Sequence, residues 1–242
     1  MSCTISVLSI DNAFHSPSVV VTTEFSRFLF DAGEGIQRLV MEHKVRVGKV
    51  RAVCATSSHI RCLGGLTGML LTLGDAGVGK LDVLGPVGVK TFMDGVKNFT
   101  RPMDNYLPPK FDKLGAVVPY VTKDLTLFTV PLGLKSVGLE SCRHFAYIGE
   151  TPQIPGKFFL EKALELGVPK GPTFGKLKNG QAVTLPDGRV VEPSQVLGEP
   201  TLSQYFSIIP SIASTESTVL QALVDEAAFQ SFRSSEKRLQ VM

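Results

Sequence analysis

The sequence predicts a layered α/β domain, a mixed sheet covered by helices, and three observations predict it. Short β-rich runs come first, strand and helix patterns then alternate, and strands resume on both sides of a segment with its own local structure. With 242 residues and 43% hydrophobic content, the chain can bury a substantial core in one domain carrying an appendage.

Thr4 to Leu8, Ser18 to Thr22 and Arg27 to Phe30 are runs bounded by polar or turn residues, which suits a meander of antiparallel strands. After Asp31-Ala32-Gly33-Glu34-Gly35, the residues Ile36, Leu39 and Val40 form an apolar helical stripe, with Gln37, Arg38, Glu42 and His43 facing away. Val50 to Ala55 suits a buried strand, Leu66 to Leu73 a helix, Leu81 to Leu84 a strand and Val87 to Phe99 another helix. A proline-rich loop is expected around Pro102 to Pro109. Strands are expected at Ala116 to Val121, Leu125 to Val130, Phe145 to Ile148 and Tyr205 to Ile209. Val219, Leu220, Leu223, Val224 and Ala227 make a last helical stripe before a polar tail.

Between these strands, Pro155 to Pro200 has the pattern of a self-contained arm. Lys157 to Leu166 predicts a short amphipathic helix stopped by Gly167 with Pro169 beyond it. The run KGPTFGKLKNG sets Lys170, Lys176 and Lys178 among glycines and a proline, and predicts a solvated loop. Ala182 to Leu185 and Arg189 to Glu192 flank Pro186-Asp187-Gly188 and predict a tight hairpin. A surface arm carrying lysines suggests a polyanion partner.

Composition narrows the function classes. The formal net charge of +3 is too small to argue for nucleic acid by itself, so any such attraction must come from local patches. Cys3, Cys54, Cys62 and Cys142 form no CxxC pair, which argues against a zinc ribbon or a small disulfide scaffold and for a reducing, intracellular compartment. The most apolar run, Leu63 to Leu73, is interrupted by glycines and far shorter than the roughly 20 residues of a membrane span. A soluble protein without a membrane partner or a visible targeting signal is expected.

Three local patterns bear on chemistry. Gly74 to Lys80 has P-loop spacing, but Leu81 stands in place of the Ser or Thr. It also leaves a helix and enters a strand, the reverse of a phosphate-binding turn, so a glycine-rich connection is expected. Asp31, at a strand end, suits either the support of a metal site or the cap of a helix beginning near Gly35, the cap being the default. Thr56 to Leu66 is a loop between a buried strand and a helix, where an active site would stand. Its His59 and Cys62 are two potential zinc ligands, short of the three protein ligands of a catalytic site, and both also suit structural roles.

Taken together, SPSVVV, RFLFDAGEGIQRLVMEHK, GGLTGMLLTL and the arm motifs PGKF, EKALELGVPKGP, GKLKNGQAV, DGRVV and PSQVLG resemble the tRNase Z (ribonuclease Z) family of endonucleases. That resemblance implies an α/β, metallo-β-lactamase-like layered αββα domain with a protruding exosite arm. It implies one domain over residues 1–242, incomplete relative to the full long-form enzyme, with a flexible arm inserted at about 155–200. The implied activity is removal of the 3′ trailer from precursor tRNA, and the implied RNA-binding residues are Lys157, Lys170, Gly171, Pro172, Lys176, Lys178 and Arg189.

Active members carry an HxHxDH zinc motif in the loop after the fourth strand. Here its positions hold Ser57, His59, Arg61 and Cys62, so one ligand survives and a permanent cation replaces the motif's aspartate. His144 does not align as a further ligand. Such a degenerate metal loop beside a retained arm resembles the N-terminal half of long-form tRNase Z. The expectation is therefore no catalytic residue and no metal in this chain. Zinc would belong to a catalytic half, and precursor tRNA and that half would be the partners. By resemblance the protein would work in nucleus or mitochondrion, with the cytoplasm allowed. The alternatives are a metal-dependent hydrolase with a nonstandard site built from Asp31, His59 and Cys62, or a nonenzymatic scaffold for a catalytic lactamase-like partner.

Overall fold

A computed structural model describes residues 3–10, 16–99, 104–107, 110–111, 117–132, 144–153, 156–169, 171–185 and 188–210. They form two compact units, one running to Glu150 and resuming at Tyr205, the other spanning Thr151–Gln204.

In the first unit, β1 (Thr4–Ser9), β2 (Ser18–Thr22) and β3 (Arg27–Phe30) form the expected antiparallel meander. The chain then passes through α1 (Ile36–Glu42) and a single 3₁₀ turn to β4 (Val50–Cys54), which lies parallel to β3. A short helix α2 (Ile60–Leu63) and α3 (Leu66–Asp75) lead to β5 (Leu81–Leu84), and α4 (Val87–Val96) leads to β6 (Asp104–Leu107). Both new strands extend the sheet in parallel, giving six strands in chain order. Gly74 to Lys80 is a helix-to-strand connection, as its flanks predict.

The stretch around Pro102 to Pro109 is not only a loop, because β6 pairs with β5 in the register Leu81↔Asp104. Prolines bound this four-residue strand on both sides, and its place at the sheet edge explains why they are tolerated there. α4 ends at Val96 rather than at Phe99.

β7 (Lys110–Phe111) and β8 (Val117–Val118) make a small ladder, and β9 (Tyr120–Val121) begins the second sheet. β10 (Thr126–Leu132) and β11 (His144–Glu150) pair with it, and after the second unit β14 (Tyr205–Ile208) adds to β11. The order is β14-β11-β10-β9, all antiparallel. The stripe from Val219 to Ala227 and the polar tail lie outside the described residues, as do Ala116 and Cys142.

Strand alternation builds two cores from the first sheet. Val20, Leu29, Val53 and Val83 point to one side, where Ile36, Val40, Leu66, Met69, Leu70 and Leu73 of the helices cover them. Val21, Phe28, Phe30, Ala52 and Cys54 point to the other, against Leu127, Phe145, Tyr147 and Phe206 of the second sheet and Leu125 of its β9–β10 turn. The Phe30 ring meets Tyr147 edge-on at 5.5 Å and Phe206 at 6.2 Å. The second sheet's outer face carries a further apolar group, Val130, Leu132, Ala146 and Ile148. Tyr147 is fully buried and donates its phenolic hydrogen to the Ala55 carbonyl at 2.8 Å. Tyr147→Phe is expected to lower stability by about 1 to 2 kcal/mol in urea denaturation, because a buried acceptor loses that donor; an unchanged midpoint would refute the assignment.

The Thr151–Gln204 unit has its own core of Ala163, Val168, Leu177, Val183, Leu185, Val191 and Val196, with Phe158, Leu166 and Phe174 packed against it. The expected helix from Lys157 starts later, as α5 (Leu160–Glu165). Phe158 is extended and bridges to Leu197, and the Phe159 N–H donates to the Val196 carbonyl. Gly167 stops α5 as predicted, at φ +79°. The Val168 and Gly167 N–H groups donate back to Ala163 and Leu164 in a Schellman closure.

The basic stretch is not a solvated loop. It holds α6 (Pro172–Lys178), with proline in its first turn. Phe174 and Leu177, three residues apart, fall on one helical face and reach the core, and Gly180 closes the end at φ +78°. The hairpin is present as β12 (Val183–Thr184) and β13 (Val190–Val191), while Pro186 and Asp187 lie outside the described residues. α7 (Pro193–Val196) completes the unit with a capping box between Glu192 and Gln195.

Candidate functional site

The loop expected to hold chemistry follows β4 and is organised around Asp31 rather than around a metal. Asp31 is 3% exposed and sits at φ +56°, a left-handed conformation that Asp tolerates. It does not cap α1. The cap position is Gly35, with no side-chain hydrogen bond. Instead both Asp31 carboxylate oxygens face Thr56, one accepting its N–H and the other its hydroxyl, each at 2.7 Å. Burial pushes the Asp31 carboxyl up to about 7, with the Thr56 and Cys62 hydrogen bonds pulling the other way. No spacing rule joins residues 25 positions apart, so Thr56 is the site residue that sequence patterns miss.

Cys62 is buried on α2 within 3.9 Å of the Thr56 hydroxyl, and burial followed by the Asp31 charge pushes its thiol up to about 11. It therefore stays a neutral thiol. His59 is exposed and acts as the cap of α2, its Nδ1 accepting the Arg61 N–H at 3.2 Å. The Ser57 hydroxyl accepts the His59 N–H, and Ser57 bridges to His144 of β11. Arg61 is partly exposed, and its carbonyl accepts the Ser16 N–H.

Asp31, His59 and Cys62 thus do not converge into the nonstandard metal site weighed above. Among the described residues, no group of three or more His, Cys, Asp or Glu side chains could hold a metal ion. A cavity of about 210 Å³ opens beside Asp31, with Ser16, Val19, Thr56, Ser207 and Ile208 among its walls. Among the described residues Asp31 is its one acidic side chain, and Thr56 already occupies both oxygens. The described residues do not fit the zinc that the fold family implies.

The loop is held rigidly by backbone. The Ala32 N–H donates to the Cys62 carbonyl at 2.8 Å and the Gly65 N–H to the Ala32 carbonyl at 2.9 Å. The turn after β3 and the start of α3 therefore lie in direct contact. A Cβ built on Gly65 would stand 2.1 Å from the Gly33 carbonyl oxygen, so glycine is required here by close approach.

The second group of expected site residues belongs to the Thr151–Gln204 unit. Lys157, Lys176, Lys178 and Arg189 are exposed, and Gly171 and Pro172 open α6. Lys170 lies outside the described residues. Lys176 and Lys178 share the last turn of α6, where cations also complement the helix dipole. The Lys178 ammonium lies 5.2 Å from the centre of the Phe158 ring, and that ring packs on Phe174 at 5.4 Å. Lys157 sits in the preceding strand-like segment, its carbonyl accepting the Gly198 N–H, and Arg189 sits at the hairpin turn. No helix among the described residues is long and apolar enough to cross a membrane.

Residues 4–65, which contain the Asp31 network and most of the loop, match the family model for tRNase Z endonuclease. The chain is 34% identical over 80% of its length to the mitochondrial ribonuclease Z of Drosophila melanogaster, covering 25% of that protein. It is 33% identical over 84% of its length to a ribonuclease Z of Limosilactobacillus fermentum, covering 65% of it. The chain thus spans a quarter of the fly relative and under two thirds of the bacterial one. In three dimensions, a long-form RNase Z from yeast superposes on 62% of the chain and 26% of its own, with a TM-score of 0.51 at 14% identity. The sequence matches and the two-sheet architecture agree: over most of its length the chain is similar to tRNase Z proteins, and it has a metallo-β-lactamase-type fold.

Proposed function

We propose that this chain is the RNA-gripping, noncatalytic half of a tRNA 3′-end-processing endonuclease. In this reading the Thr151–Gln204 unit holds precursor tRNA while a histidine-bearing catalytic half, attached or separate, removes the trailer. The observation that carries it is the contrast between the two sites. One is a separately folded unit with exposed lysines on a rigid helix, the other a loop whose buried carboxylate is fully engaged by Thr56. The names of the fly and Arabidopsis thaliana relatives carry a mitochondrial designation, and we assign the chain's work to the same compartment.

Charge placement supports the RNA reading better than total charge does. No acidic residue stands between Leu166 and Pro186, a stretch that holds Lys170, Lys176 and Lys178. The acidic residues of the unit lie on α5 and from Asp187 onward. A phosphate backbone would meet cations without competing carboxylates on that stretch.

Replacing Lys170, Lys176 and Lys178 together by alanine is expected to weaken tRNA binding and to reduce the slope of log K against log salt by about 2 to 3, near 0.7 to 0.9 per lost phosphate contact. Unchanged affinity and slope would overturn the assignment. Metal analysis separates this reading from a hydrolase. The purified chain is expected to take up zinc far below one equivalent and to keep its melting temperature in chelator, whereas stoichiometric zinc lost on His59→Ala would point to a metal enzyme.

A further inference from the structure

We propose that the first unit carries a binding site for single-stranded RNA where the β2–β3 turn, the β9–β10 turn and the α1–β4 loop meet. The site lies in a different unit from the arm. Two of its turns are locked together by one carboxylate. Asp124 is fully buried in the β9–β10 turn, and the Thr23 hydroxyl of the β2–β3 turn donates to it. The Phe25 N–H donates to the same oxygen at 3.3 Å, and the Thr122 hydroxyl donates to the other at 3.3 Å. This engaged carboxylate fixes the backbone of Phe25, whose side chain is 45% exposed with the Lys123 ammonium 4.3 Å from the ring centre. Among the described residues of the three connections, Phe25 is the one exposed large hydrophobe.

The third connection adds cations. Arg27 opens β3 opposite Val50 of β4, so it adjoins the loop that carries Lys44, Arg46 and Lys49. Burial, and then the Arg46 charge, hold the Arg27 guanidinium below its usual value, with Asp124 opposing. Residues 43–74 contain no Asp or Glu. Among the described residues none of Arg27, Lys44, Arg46, Lys49 and Lys123 forms an ion pair, whereas Arg38, Arg51 and Lys90 do. Lys44 also stands at φ +53° in the closing turn of α1, its N–H donating to the Met41 carbonyl and the Val45 N–H to that of Val40. Glycine ordinarily takes that position, so a cation is kept there at a conformational cost.

These features select the occupant. Five unpaired cations against one exposed carboxylate, Glu24, suit a polyanion. A cationic track beside a fixed, exposed aromatic ring is the arrangement that holds a single strand, phosphates on the cations and a base on the ring. A duplex keeps its bases stacked inside and leaves Phe25 without a role. A membrane surface requires a broad inserting apolar face, whereas here one ring stands beside Glu24, and Val45 and Val47 pack down on the core. Phosphates and base faces are common to RNA and DNA, so the choice of RNA rests on the function proposed above.

Fluorescence anisotropy with a labelled oligoadenylate RNA tests this, on the full chain carrying Lys170→Ala, Lys176→Ala and Lys178→Ala so that those arm lysines contribute nothing. This parent is expected to bind the oligonucleotide in a salt-dependent way. Phe25→Ala should weaken binding by about tenfold while leaving the slope of log K against log salt unchanged, and Phe25→Tyr should restore it. Arg46→Ala/Lys49→Ala should reduce that slope by about 1.4, near 0.7 per lost contact on a single strand. Glu24→Gln should tighten binding. A misfolded variant loses affinity and slope together, so the split between the two readouts requires folded protein. A parent that does not bind, a Phe25→Ala variant that binds like it, or an unchanged slope in Arg46→Ala/Lys49→Ala would each overturn the proposal. So would duplex RNA bound with the same dependence on Phe25, or phosphatidylserine vesicles that sediment the chain through Phe25, which would assign the surface to a membrane. The arm keeps its own test with folded tRNA, so either site can fail without the other.

Discussion

Asp31→Asn is expected to abolish a fall in stability of about 4 kcal/mol that the wild-type protein undergoes between pH 4 and pH 7. The ordinary carboxyl value of 3.8 applies in the unfolded chain, while burial raises the folded value to about 7. Folding therefore favours the protonated acid. That contribution is full below about pH 4, shrinks as pH rises through the window, and is gone above about pH 7, at roughly 1.4 kcal/mol per unit of separation. Asparagine accepts the Thr56 N–H in the same way, tolerates the left-handed φ of +56° and carries no charge to bury. Urea denaturation of both proteins across the window reads the difference, with the variant gaining on the wild type as pH rises. Parallel stability curves would show that Asp31 is not the titrating group.

Gly65→Ala should be the most damaging small substitution in the loop, at about 3 kcal/mol and a melting temperature lower by roughly 10 °C. The added methyl would stand 2.1 Å from the Gly33 oxygen and 2.8 Å from Ile36 Cγ2. The first of these is backbone, already fixed by the Ala32–Cys62 and Gly65–Ala32 hydrogen bonds, so relief requires moving the turn after β3 away from α3. Gly95→Ala in α4 is the control. A Cβ there meets nothing within 4 Å, so the change should be neutral or stabilising by about 0.5 to 1 kcal/mol. Equal melting temperatures for Gly65→Ala and the wild type would sink the argument.

The legible parts of this chain were those governed by local periodicity. β1 to β5, α1, α3 and the Gly167 stop follow from alternation, helical stripes and glycine chemistry, which act over a few residues. β6 was hidden because prolines around it signal loop, and only its parallel pairing with β5 makes it a strand. α6 was hidden by composition. Its glycines and lysines weigh against a helix, and the deciding signals, Pro172 in the first turn with Phe174 and Leu177 on one face, need a core to pack on. At the site, the residue types at Ser57, Arg61 and Cys62 carry the expectation of a loop without a zinc motif. The roles the loop residues take were not legible, because the engagement of Asp31 by Thr56 is a tertiary contact and the His59 cap needs the start of α2 to be known.

Tyr205 lies opposite Glu150 in the β11–β14 ladder, and its hydroxyl donates to the Glu150 carboxylate at 2.5 Å. Within the second unit, the flanking Thr151 and Gln204 exchange two further hydrogen bonds, backbone N–H to carbonyl and backbone N–H to hydroxyl. In topological terms the whole unit is the loop of a β-hairpin whose stem is zipped up to its last rung. Since the entropy of closing a loop grows only with the logarithm of its length, such a stem accepts a folded passenger or a short turn at nearly equal cost. Exchanging residues 151–204 for a tight Asn-Gly turn should therefore leave the lactamase-type sheets folded while deleting the RNA affinity proposed for the unit, an outcome that would make grip and scaffold separable parts of one chain.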